Sequence, residues 1–106
     1  MISRKSTRYG VQLSTVLQDQ TLTREGTVVN LSIDGCAVIT DSTLDSGSYW
    51  ALSIETGQPG RKLDVELAVV RWVRDVRCGM EFIKVRDTRK QDLAAFVQLL
   101  ESTAPK

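Results

Sequence analysis

Val11, Leu13, Thr15 and Leu17 alternate with Gln12, Ser14, Val16 and Gln18, the period of two that a half-buried strand requires. Arg24 to Leu31, with Thr27, Val28 and Val29 at its centre, reads as a second strand, with a turn before it at 20–23. A short apolar strand over 36–40 and a fourth strand over 49–55 follow, separated by the turn-forming residues Asp41-Ser42-Thr43 and Asp45-Ser46-Gly47. Thr56-Gly57-Gln58-Pro59-Gly60 is the strongest turn signal in the chain. The fifth strand, 63–73, alternates apolar and charged residues and then becomes apolar on both faces at Ala68-Val69-Val70, as expected of a strand that enters a closed barrel or lies under a helix. Val76, Cys78, Met80 and Phe82 alternate in a last strand, joined to the fifth through a tight turn near Arg74-Asp75. Leu93, Phe96, Val97 and Leu100 then recur at helical spacing, predicting a helix over 89–102 with Asp87-Thr88 as its cap and Thr88 with Gln91 as a capping box.

Six short strands and one helix, without internal repeat or linker, predict an all-β domain: a six-stranded antiparallel, split β-barrel with a C-terminal α-helix. Residues 1–9 lack apolar periodicity and read as a flexible basic arm, and 10–103 as the barrel with its helix. A chain of 106 residues is long enough to bury a core without metals or disulfides. The two cysteines, Cys36 and Cys78, lack Cys-x-x-Cys spacing and read as buried thiols in a reducing cytoplasm. No apolar run approaches the roughly 20 residues that span a bilayer, so no membrane anchor is expected.

Charge is distributed unevenly beneath a net value of +1. Arg4, Lys5 and Arg8 occupy the first nine residues with no acidic residue among them, whereas 25–57 carry Glu25, Asp34, Asp41, Asp45 and Glu55 with no base. This favours a localised anion site over a uniform nucleic-acid coat. The most adaptable polar stretch is Asn30-Leu31-Ser32-Ile33-Asp34-Gly35, between two apolar strands. Asn30 both donates and accepts, Ser32 has a rotatable hydroxyl, and Gly35 permits positive φ and close approach of another molecule. Asp34 reads as a turn former. There is no histidine, no Walker-type phosphate loop and no carboxylate pair that singles out an acid and a base, so catalysis and a metal centre are not expected. A barrel binding single-stranded nucleic acid would need a basic groove with stacking aromatics; six aromatics, most at core-facing positions, and slight net charge argue against DNA or RNA.

Arg4-Lys5-Ser6-Thr7-Arg8 gives Arg-x-x-x-Arg, and Asn30-x-Ser32-x-x-Gly35 follows about two dozen residues later. Together with Val70-Arg71-Trp72-Val73 ahead of Cys78-Gly79-Met80-Glu81-Phe82, this pattern resembles the PilZ family of bacterial cyclic di-GMP receptors over nearly the whole chain. The resemblance implies that the dinucleotide binds between the arm and the connection of the first strands. Arg4 and Arg8 would clamp guanine edges and phosphates, Asn30 would read a guanine edge, Ser32 would add a hydroxyl contact and Gly35 would keep the corner tight. An arginine fork matches phosphate oxygens or the O6/N7 edge of guanine, and its plane stacks on a base. The family often has aspartate where this chain has Asn30, and often a second arginine where it has Lys5. Lys5, Arg24 and Trp72 are further candidate contacts, with Trp72 either a stacking platform or a core residue.

The expected function is therefore a cytoplasmic, non-catalytic receptor. It changes arm conformation on binding cyclic di-GMP and signals to a separate effector protein. The alternative is a PilZ-like protein–protein interaction module that binds no nucleotide, in which Asn30 and Ser32 merely satisfy a turn.

Overall fold

The computed structural model of the protein describes residues 8–57, 62–85 and 87–103, the side chains of 87–89 and 103 excepted. Arg4 and Lys5, most of the turn at 56–60 and the capping side chains of Asp87 and Thr88 lie outside this description. Six strands are present: β1 (Tyr9–Gln18), β2 (Thr23–Leu31), β3 (Gly35–Thr40), β4 (Tyr49–Glu55), β5 (Lys62–Arg74) and β6 (Arg77–Lys84). One helix follows, α1 (Asp87–Thr103). All neighbours pair antiparallel in the order β1-β2-β3-β6-β5-β4, and β1 pairs with β4 to close the barrel.

The alternation read from the sequence is the alternation of burial. Leu17, Val28, Leu31, Val38, Ile54, Val70 and Met80 fill the interior, each contributing about 1.5–3 kcal/mol by leaving water. Helix α1 adds Leu93 and Val97 to this core and packs against β5 and β1. Ala68 and Val70 belong to the same core, whereas Val69, also buried, lies outside that cluster opposite Glu81.

Two boundaries differ from expectation. Tyr9 already opens β1 and Arg8 is bonded to the barrel, so ordered chain reaches into the expected arm. Val76 is not a strand residue; it is exposed in the hairpin turn, because Asp75 takes φ 56° and the two-residue loop needs both positions. At the β1–β2 turn, Asp19 Oδ1 accepts from the backbone N–H groups of Thr21 (2.8 Å) and Leu22 (2.6 Å), which holds its carboxyl below the usual range.

Cys36 and Cys78 are free and buried. Burial pushes the Cys36 thiol up to about 12, with the Arg8 charge pulling weakly the other way. The folded chain should therefore leave its thiols unmodified by an aromatic disulfide reagent at pH 8, whereas the unfolded chain should release two equivalents. Because burial raises the folded value, folding stability is unaffected by this thiol below about pH 8.5, the unfolded thiol value, and falls as pH rises from there toward 12. Rapid reaction of the native chain would contradict the buried assignment.

Candidate functional site

Register determines which side chains share a face. Leu31, Cys36, Met80 and Val70 are successive partners across β2, β3, β6 and β5, and all four are buried in the barrel. The pleat turns the flanking rows outward. On one side run Asn30, Ala37, Gly79 and Trp72, again successive partners; on the other, Gly35 faces Glu81. Three of these residues are Gly or Ala and are themselves buried, so larger side chains lie flat over this outer wall and form a shallow shelf.

Each end of the shelf is built by a distinct device. A register shift between Val70 and Trp72 marks a β-bulge, and Arg71 and Trp72 are consecutive residues that are both exposed. Trp72 is 42% exposed, and its indole lies across Gly79, where any Cβ would collide with the ring. Arg71 Nε donates to Glu81 Oε1 at 2.8 Å. At the opposite end Arg8 Nη1 donates to Asn30 Oδ1 at 3.0 Å, and Arg8 Nη2 lies 3.0 Å from the place a Cβ on Gly35 would occupy. The guanidinium thus covers the corner with one N–H committed to a neutral amide. An amide acceptor leaves the arginine charge unneutralised and available to an anion.

The corner itself is self-braced. Ser32 N donates to Gly35 O at 2.9 Å, and the Ser32 hydroxyl donates to Asp34 Oδ1 at 2.7 Å. Phe82 N donates to Asp34 O at 2.8 Å, tying the turn to β6. Ser32 is fully buried and its hydroxyl is engaged within the turn, where it braces the corner. One sequence expectation is corrected here. Gly35 does not have positive φ; glycine is required because Met80 O stands where a Cβ would go.

Arg8, Asn30 and Gly35 are brought together, and Trp72 joins them on the same outer wall. Arg24 is not brought to these residues. It pairs with Leu17 six residues before Asn30, roughly 20 Å away along the strand, and its guanidinium is engaged by Ser42 and Asp41. Sequence reasoning missed Arg71, Glu81, Ala37 and Gly79. The signal for them was the hairpin Val70–Phe82 itself, but only the bulge brings Arg71 and Trp72 to one face.

Elsewhere, an opening of about 630 Å³ is lined by Glu25, Asp41 and Glu55 against Lys62, a negative balance that disfavours a phosphate diester. Among the described residues, no group of three or more Cys, Asp or Glu side chains is placed to hold a metal ion. No helix among them is long and apolar enough to cross a membrane.

The PilZ domain family profile matches residues 2–99. No curated protein matches the sequence. Among solved structures, the chain is similar to the inhibitor of motility MotI/DgrA of Bacillus subtilis (TM-score 0.77, 18% identity, 99% of this chain and 55% of that one). It thus spans little more than half the length of that protein. It is also similar to the PilZ domain of YcgR from Escherichia coli solved with c-di-GMP (TM-score 0.74, 18% identity, 95% and 93% of the two chains). A third similar structure is the PilZ domain of CeSA from a cellulose-synthesizing bacterium (TM-score 0.70, 17% identity, 91% and 99%). At these identities the likeness concerns the fold.

Proposed function

The chain belongs to the PilZ domain family, and on that premise we propose that it is a non-catalytic receptor for cyclic di-GMP. The observation that carries this reading is the Arg8 guanidinium poised over Gly35 beside Asn30, on the same outer wall as an exposed indole. A cyclic dinucleotide has two phosphodiester charges and two planar purines. Arg8 suits either a phosphate or a guanine edge, Asn30 suits a guanine edge through its amide, and Trp72 offers a face on which a base stacks. Arg4 and Lys5 of the arm would add cations as the arm closes over the bound ligand. The remade surface would be read by a separate effector protein in the cytoplasm.

Tryptophan emission tests this directly. Trp50 is buried with its indole N–H bonded to Ser48 Oγ at 2.9 Å, whereas Trp72 is exposed at the shelf. Cyclic di-GMP should quench the emission saturably, GTP and cyclic di-AMP should not at equal concentration, and Trp72→Phe should abolish most of the change. Base–aromatic stacking contributes about 1–3 kcal/mol per base, so Trp72→Ala should weaken binding by about fivefold to a hundredfold. The buried Ser32 hydroxyl favours a second reading, an interaction module that binds no nucleotide; an emission spectrum that does not respond to the dinucleotide would support it.

A further inference from the structure

We propose that Glu81, held by Arg71, is a specificity-determining residue that accepts from the guanine N1–H and N2–H edge, an inference that rests on the cyclic di-GMP reading above. Glu81 is the partner of Gly35 on β6, and Arg8 covers Gly35 from the other side. It lies two residues from Gly79, the residue on which Trp72 rests, and so on the same outward face of β6. Strand spacing and rise place the Cα atoms of Asn30 and Glu81 on the order of 12 Å apart, a span that side chains reaching from both ends reduce to purine dimensions.

The chemistry selects the role. Guanine presents two adjacent donors on this edge, and the acceptor matched to two parallel donors is a carboxylate, whose two oxygens carry about four lone-pair sites. Asn30 has a single acceptor oxygen, and that oxygen already takes Arg8. Arg71 Nε occupies one oxygen of Glu81 and fixes the direction of the carboxylate, leaving capacity for further donors. Arg71 is thus a positioning residue. A carboxylate beside a dianionic ligand is repulsive unless it makes such bonds, which gives the role a definite sign.

The test is isothermal titration of the native chain, Glu81→Ala, Glu81→Gln and Arg71→Ala with cyclic di-GMP and with cyclic di-IMP, which lacks the N2 amine. Circular dichroism establishes that each variant is folded. The native chain should prefer cyclic di-GMP. Glu81→Ala should lose about tenfold or more in affinity for it, the effect of losing a charge-assisted contact, and its preference over cyclic di-IMP should shrink to about twofold. Glu81→Gln should lie between, and Arg71→Ala should narrow the preference without abolishing it. Equal or tighter binding of cyclic di-GMP by Glu81→Ala, with the preference intact, overturns the role of Glu81 while leaving the receptor reading standing. Failure of the native chain to bind either dinucleotide overturns both.

Discussion

Replacing Arg8 with alanine is expected to weaken cyclic di-GMP binding by about tenfold to a hundredfold or more, since a charge-assisted hydrogen bond contributes about 1.5–3 kcal/mol. Fold stability should change little. The bond lost, Arg8 Nη1 to Asn30 Oδ1, is on the outer wall, where water replaces it, so the difference should stay within about 0.5 kcal/mol. Arg8→Lys keeps the charge without the planar fork and should recover part of the loss, because a phosphate accepts a point charge but a guanine O6/N7 edge needs two parallel donors. Equilibrium titration of the three chains at one salt concentration checks the order native, lysine, alanine. An alanine variant that binds like the native chain would remove Arg8 from the site.

Gly35→Ala should damage both fold and site. The new methyl would meet Met80 O, a backbone atom held by pairing of β6 with both β3 and β5, and it would press on Arg8 Nη2 at 3.0 Å. Neither strand yields cheaply, so the cost should resemble overpacking, about 1–3 kcal/mol. For a chain of this length that corresponds to a fall in Tm of about 4–8 °C per kcal/mol. Gly10→Ala is the matched control. It lies on β1 opposite Asn30 with nothing within 4 Å of its added methyl, and should leave Tm within a few degrees of native. Thermal unfolding followed by circular dichroism separates the two variants, and equal melting temperatures would contradict the close approach at Gly35.

Most of the fold was legible because its signals are local. Alternation or short apolar runs between turn signals located all six strands, and β4 occurs at its expected limits of Tyr49 and Glu55. The helix was legible from Leu93, Phe96, Val97 and Leu100, although it starts at Asp87, two residues before the apolar pattern implies. The turn at Asp75-Val76 was anticipated but not its reach, since alternation alone made Val76 look like a strand residue.

The site was legible in part, for a physical reason. Arg8, Asn30 and Gly35 are polar or special residues at an obvious corner, and the barrel brings them together. Ser32 looked identical by type, yet hydroxyl direction depends on Asp34 Oδ1 two residues on, which spacing does not reveal. Arg24 looked like a helper by charge, whereas strand direction carries it to the other end of β2. Arg71 and Glu81 were invisible because their relation needs a bulge in β5 and the β3–β6 pairing, both non-local.

The most direct measurement is isothermal titration of the native chain with cyclic di-GMP, with GTP and cyclic di-AMP as controls. Saturable heat with cyclic di-GMP alone, at a defined stoichiometry of one ligand or an intercalated pair, is the predicted result. Absence of heat, together with no displacement of a labelled cyclic di-GMP, would contradict the receptor assignment and leave the shelf as a protein-facing surface.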